Sequence, residues 1–262
     1  MESSKPLQGK VIVNLGDSIF GNFPAPVDVS TFLAEQTGAT VYNGAFGGSR
    51  MSQNDEIRDP VSMHSLADAI VSGDWSRQDK SMSIVGEWLT WKFHLEQFPK
   101  TVNLLKSVDF NKVDIVTIAH GTNDFTAECP AYDPANPTGV HSFAGALTHS
   151  IETLQRAFPK LEIVLCTPTW RCWLNDELEV IDTAESRVLA GQKLTDIVQQ
   201  TRDIAKRYGL FCIDNFVHSG LCMGNRHICF AGKDGTHPIE AGRRMIADNM
   251  AKELNKRYGK GV

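Results

Sequence analysis

No stretch of this 262-residue sequence is long and apolar enough to cross a bilayer, and its first ten residues carry no apolar run of signal-peptide length. There is no Ser/Gly tract, no Pro-rich stretch, no block of like charge and no internal repeat, so nothing marks a linker or a solenoid. The net charge is −5 with basic residues scattered, which leaves no footprint for nucleic acid or an anionic membrane surface. Cysteine is scarce. Cys129, Cys166, Cys172, Cys212, Cys222 and Cys229 never form a Cys-x-x-Cys pair, and Cys166 and Cys212 sit in apolar runs where a thiol behaves as a small hydrophobe. The expectation is a reduced, cytoplasmic protein with no nucleic-acid or membrane partner.

What is present is apolar content enough for one sizeable core, 42% of the residues. Four short apolar runs read as buried parallel strands: Val11–Leu15, Val113–Ala119, Leu161–Cys166 and Leu210–Ile213. A fifth, Thr40–Tyr42, is shorter and is expected at an edge. Helical patterns alternate with them. Val29–Gln36 follows Asp28, a suitable N-cap, and Phe143–Phe158 repeats apolar residues at i, i+4. Val188–Tyr208 stops at Gly209, a glycine suited to the position after a helix, and Ile239–Tyr258 closes the chain. This order predicts an α/β fold: a five-stranded parallel sheet with helices on both faces, within one domain over residues 1–262. Met51–Gln97, with Trp75, Trp88 and Trp91, is long for one crossover and is expected to form a helical insertion or lid.

In such sheets chemistry gathers beyond the carboxyl ends of the strands. The first strand runs into Gly16-Asp17-Ser18, where a serine hydroxyl would be reachable and Asp17 could fix the turn. Alone, this is a common turn tripeptide. The second strand runs into Asn43-Gly44-Ala45-Phe46-Gly47-Gly48-Ser49, whose glycines would let backbone N–H groups approach a ligand. An ordinary flexible turn would read the same. The third ends in His120-Gly121-Thr122-Asn123-Asp124. An asparagine there can aim its amide at a developing oxyanion, or merely close an Asx-turn. Before the last helix stands Asp234-Gly235-Thr236-His237. An aspartate three residues before a histidine can hold Nδ1–H and leave Nε2 free as a base.

Together the four loops supply a nucleophile, a base, an orienting acid and oxyanion donors. At this point the sequence resembles the SGNH hydrolases, also called the GDSL esterase/lipase family, with blocks in the family's order over nearly the whole chain. Gly16-Asp17-Ser18 matches the nucleophile block, and Asn43 with Gly48 the glycine block. Gly121, Asn123 and Asp124 match the third block, and Asp234 with His237 the last. One departure is Phe20, where many members carry a small or hydroxylated residue, which bears on pocket shape. The resemblance implies a flavodoxin-like three-layer α/β/α sandwich and ester hydrolysis through an acyl-enzyme without metal or other cofactor. Ser18, Asp234 and His237 would be catalytic, and the oxyanion would meet the N–H groups of Ser18 and Gly48 and the side chain of Asn123.

Asp17, His120, Trp170 and Arg171 are further candidates for substrate contact. The last two follow the fourth strand, where an aromatic ring suits a sugar face and an arginine a carboxylate. His218, Cys222 and His227 lack regular metal-ligand spacing. The expected substrate is a small-molecule or carbohydrate ester, in particular an acetylated sugar. The alternatives are a lipase-like or lysophospholipase-like enzyme for longer acyl chains, or a non-catalytic carbohydrate-binding module on the same fold.

Overall fold

Five short apolar runs lie side by side as one parallel sheet. The computed structural model describes residues 5–21, 25–88, 97–230 and 234–259. In chain order, β1 (Val11–Gly16) is followed by α1 (Ser18–Gly21), α2 (Val29–Thr37) and β2 (Thr40–Asn43). A long crossover then carries α3 (Met63–Ser72), α4 (Ser76–Trp88) and α5 (Gln97–Ser107) to β3 (Ile115–Ala119). Next come α6 (Thr122–Thr126), α7 (Phe143–Ala157), β4 (Glu162–Cys166), and the strands β5 (Cys172–Leu174) and β6 (Val180–Thr183). The chain continues through α8 (Leu194–Tyr208), β7 (Phe211–Ile213), α9 (Asn215–His218), α10 (Arg226–Cys229) and α11 (Glu240–Tyr258).

The sheet order is β2-β1-β3-β4-β7, every pairing parallel, with β2 at the edge as its short, half-polar run predicts. The order reverses at β1, so the loops after β1, β2 and β3 open into one crevice. The strands alternate with helices that form two packed groups, α2 with α11 and α7 with α3 and α8, as right-handed crossovers on either face require. This is the flavodoxin-like three-layer arrangement. The apolar residues of β1 and β3 are buried almost completely, and their polar members are satisfied in pairs. Asn14, inside β1, donates to Ser30 Oγ at 2.8 Å and accepts from Thr117 Oγ1 of β3 at 2.7 Å. Leaving either group unpaired there would cost about 1–3 kcal/mol.

Local signals act as their chemistry predicts. Asp28 caps α2 by accepting from the backbone N–H groups of Ser30 and Thr31 at 2.9 and 3.1 Å. Gly209 ends α8 at a φ of +66°. Two features differ from the sequence expectation. The helix expected from Val188 begins at Leu194, because Ala190 and Gly191 both take positive φ and Leu189 bridges back to Gln192. Between Arg171 and that turn lies the antiparallel β5–β6 hairpin, too short and too exposed to leave an alternating pattern.

The described part of the Met51–Gln97 segment holds α3 and α4, and α3 packs on α7. Buried Asp59 joins these pieces, accepting from Asn54 N at 2.9 Å, His64 Nε2 at 3.1 Å and Arg77 Nη2 at 2.7 Å. Burial alone would raise its pKa, but these donors and the nearby positive charge outweigh it and hold the carboxyl at about 2. Trp75 is half-buried against the core, and Trp91 lies outside the described residues. Among the described residues no helix is long and apolar enough to cross a membrane.

Candidate active site

The crevice is built from the turn after each of the first three strands, completed by the loop before α11. Gly16 ends β1 where a Cβ would stand 3.1 Å from the Ala119 carbonyl of β3, so the two strand ends can close up. The chain then turns at once into α1, with Ser18 as its first residue. Asp17 secures that turn at both levels. Its carbonyl accepts from Phe20 N and Gly21 N at 3.1 and 2.9 Å, and its carboxylate from Ile19 N at 3.0 Å.

Ser18 Oγ lies 2.8 Å from His237 Nε2. His237 Nδ1 in turn meets Asp234 Oδ2 in a very short contact. The other carboxylate oxygen, Oδ1, accepts from Thr236 N at 2.6 Å and His237 N at 3.1 Å, so the aspartate folds its own loop around the histidine. Burial pushes the Asp234 carboxyl upward, but the hydrogen bond and charge of His237 and the backbone donors win, holding it at about 2. Asp234 is therefore ionised at neutral pH, which fixes the proton on Nδ1 and leaves Nε2 as an acceptor for the Ser18 hydroxyl. The loop is anchored from outside: Cys172 N donates to Gly235 O at 3.0 Å, and a side chain at Gly235 would collide with the Cys172 carbonyl.

The glycine loop after β2 is tied to the serine turn. Asn43 Nδ2 donates to Phe20 O at 2.8 Å, Phe46 N to Gly16 O at 3.1 Å, and a Cβ on Gly21 would strike the Ala45 carbonyl. Gly48 takes a φ of +72°, a backbone state that other residues enter only with strain. From the other side, the turn after β3 grips the segment just past Gly48. Asn123 Nδ2 donates to Ser49 O at 2.9 Å, and buried Asp124 accepts from Met51 N, Ser52 N and Ser52 Oγ at 3.0, 2.9 and 2.6 Å. The amide of Asn123 carries a second N–H beyond the one given to Ser49. Ser18, Gly48 and Asn123 thus come from three neighbouring strand ends that are cross-linked by hydrogen bonds.

The four residues proposed for substrate contact all lie beneath the surface, with exposures of 2% for Asp17 and His120, 5% for Trp170 and 8% for Arg171. Trp170 donates its indole N–H to Glu185 at 3.1 Å and packs on Phe230. Arg171 donates to Thr122 and Thr126 of α6 at 2.8 and 3.1 Å and stacks over Trp173. Burial lowers its pKa to about 10, so it keeps its charge. His120 Nε2 lies 3.1 Å from Ser49 Oγ, and burial pushes its pKa down to about 3. Among the described residues no three His, Cys, Asp or Glu side chains group as metal ligands would, His218, Cys222 and His227 included.

Asp17 gives a pH prediction. Burial raises its pKa to about 7, against the Ile19 N–H and the nearby His237 charge, which lower it. Between the unfolded value of 3.8 and the folded value of about 7, the folded chain holds a proton that the unfolded chain has lost. Stability contributed by the protonated form is therefore lost as pH rises through that window. Asp17→Asn keeps an oxygen for Ile19 N and removes the titration. The wild type should lose melting temperature between about pH 5 and pH 8 relative to the variant, by roughly 5–10 °C in all. Parallel melting curves across that range would refute the assignment.

The family model of the GDSL-like lipases/acylhydrolases matches residues 12–250, and the matched span contains each of the four loops. The chain belongs to this family. As a GDSL acylhydrolase it is an ester-hydrolysing enzyme. Its fold is shared with solved structures at low identity. A protein from Lactobacillus plantarum is 16% identical with a TM-score of 0.65, over 96% of this chain and 99% of that one. A possible lipase from Chitinophaga pinensis is 16% identical with a TM-score of 0.61, over 94% and 98%. A carbohydrate acetylesterase family member from Sinorhizobium meliloti is 12% identical with a TM-score of 0.57, also over 94% and 98%. Comparison with curated proteins finds no match. Within this GDSL acylhydrolase, sequence reasoning missed Ser49 and Ser52. Each is an ordinary turn serine in sequence and a tethered one in space, Ser52 by Asp124 and Ser49 by Val61, His120 and Asn123, and only the match of Asp124 to the third block hinted at the partner of Ser52.

Proposed function

We propose that this acylhydrolase is a serine esterase that forms an acyl-enzyme at Ser18, and that its substrates are short-chain, chiefly acetyl, esters of carbohydrate. The observation that carries the mechanism is the unbroken hydrogen-bonded line Ser18 Oγ–His237 Nε2, His237 Nδ1–Asp234 Oδ2. His237 takes the Ser18 proton as the hydroxyl attacks the ester carbonyl, and ionised Asp234 stabilises the imidazolium without taking its proton. The oxyanion is met by the N–H groups of Ser18 and Gly48 and by the Asn123 amide. The imidazolium returns the proton to the departing alcohol. Water, activated by the same histidine, then frees the acyl group.

A nearly buried Ser18, 4% exposed, suits a small acyl group. Two structural neighbours from Sinorhizobium meliloti are described as carbohydrate acetylesterases, which adds weight to the sugar acetate. The test is a comparison of kcat/KM on acetyl and octanoyl esters of one alcohol, followed by acetate release from acetylated oligosaccharides. Preference for octanoyl would favour the longer-chain reading, for which the Chitinophaga pinensis possible lipase is the relevant neighbour.

Asn123→Ala should lower kcat by about 10²–10³, the cost of one lost oxyanion donor, with KM little changed. An effect confined to KM would place Asn123 in substrate binding instead.

A further inference from the structure

We infer that His120 and Ser49 are positioning residues for the oxyanion site, a neutral imidazole and a hydroxyl that together fix the backbone just after Gly48. The inference rests on the reading of Ser18 as an acyl-transfer nucleophile and adds two residues that no motif names. The hydrogen bonds determine who donates. Ser49 Oγ lies 2.8 Å from Val61 O, a carbonyl that can only accept, so the single hydroxyl proton goes there. His120 Nε2, 3.1 Å from the same oxygen, must then be the N–H donor. Its Nδ1 is a bare acceptor, buried and without a partner among the described residues. A protonated ring would add a second buried donor with nothing to receive it, so the site is built for the neutral tautomer.

Ser49 is thereby held on every side. Its hydroxyl bridges Val61 and His120, its N–H donates to Phe46 O at 3.2 Å, and its carbonyl receives the Asn123 amide. The Ser49 carbonyl orients Asn123, while the Ser49 N–H and hydroxyl fix the turn that contains Gly48. One residue therefore sets the direction of two of the three oxyanion donors. His120 and Asn123 both leave the end of β3, so the two groups that donate to Ser49 are spaced by a single turn of chain. Both Ser49 and His120 are buried, at 0% and 2% exposure, and they act through the donors, not on the substrate.

The experiment uses Ser49→Ala and His120→Leu, with Ser49→Thr and His120→Gln as conservative partners. Threonine keeps the hydroxyl, and the glutamine amide can place an N–H near the Nε2 position. Turnover of a p-nitrophenyl acetate substrate and inhibition by phenylboronic acid, which forms a tetrahedral adduct on an active-site serine, are read for each. Ser49→Ala and His120→Leu should lower kcat by roughly 10- to 100-fold, the usual penalty for a misaligned group, with KM within about twofold. Boronate affinity should fall by the same factor, and the threonine and glutamine variants should recover most of both. A fall in kcat with unchanged boronate affinity, or glutamine as damaging as leucine, overturns the inference. Should His120→Leu fail to fold, the alanine and threonine pair at Ser49 decides it in the same way. A wild type that neither turns over the ester nor binds the boronate would overturn the Ser18 reading itself. An active wild type matched by Ser49→Ala overturns only the positioning role.

Discussion

Ser18→Ala should cut turnover of an acetyl ester by about five to six orders of magnitude and abolish covalent labelling by a fluorophosphonate. The scale follows from the chemistry. Without the hydroxyl, His237 has no proton to remove, and the covalent path is closed at its first step. Remaining catalysis would come from oxyanion donors acting on a water in place of the serine, a residue of about 10³–10⁴ over the uncatalysed rate in serine hydrolases. The fold should tolerate the change. Ser18 Oγ is bonded to His237, while the turn around it is held by Asp17 and by backbone N–H groups that alanine retains. A melting temperature near that of the wild type, with activity gone, is the expected pair of results. Mass spectrometry after fluorophosphonate treatment gives the direct reading: one adduct on the wild type, none on the variant. Labelling that persists on the alanine variant would move the nucleophile elsewhere.

Asp234→Asn should cost about 10⁴ in kcat, and the structure says why an atom-for-atom replacement does so much harm. Two backbone donors, Thr236 N and His237 N, point at Oδ1. An asparagine must keep its oxygen there, which turns its NH₂ toward His237 Nδ1. A donor facing Nδ1 forces the imidazole proton to Nε2, and an Nε2–H then faces the Ser18 hydroxyl where a lone pair is needed. The base is present but in the wrong tautomer. Asp234→Ala leaves the tautomer free and should be the less damaging of the two at alkaline pH. The measurement is kcat against pH for both variants; equal losses at all pH values would remove the tautomer argument.

The sheet and its reactive edge were legible because both depend on local chemistry. Val11–Leu15 and its relatives are short apolar runs of the kind that buried strands make, and the strand tips carry three of the four loops. What stayed hidden depends on contacts between distant segments. The β5–β6 hairpin is a few residues a side and half in water, so neither face writes an alternating pattern. Val188 and Leu189 continue the apolar rhythm of α8 backward, yet the positive φ at Ala190 and Gly191 is a property of the turn and leaves no trace in periodicity. Arg171 invited a role in binding a carboxylate. The structure gives two of its hydrogen bonds to Thr122 and Thr126, residues whose nearness no spacing along the chain reveals. Ser49 is the sharpest case, since its partner His120 stands 71 residues away.

Because β2, β1 and β3 are adjacent, Ser18 rises from the middle strand, and Gly48 and Asn123, proposed as oxyanion donors beside its own N–H, from the strands on either flank. Adjacent strands in any sheet stand about 4.8 Å apart, a distance set by backbone hydrogen bonds and indifferent to side chains. The enzyme thus borrows its catalytic ruler from the peptide group. The β5–β6 hairpin does not stand apart from this frame, since Cys172 N at the start of β5 holds Gly235 O in the loop that carries His237. Attempts to alter what this esterase accepts should leave the three strand tips and that β5 anchor alone.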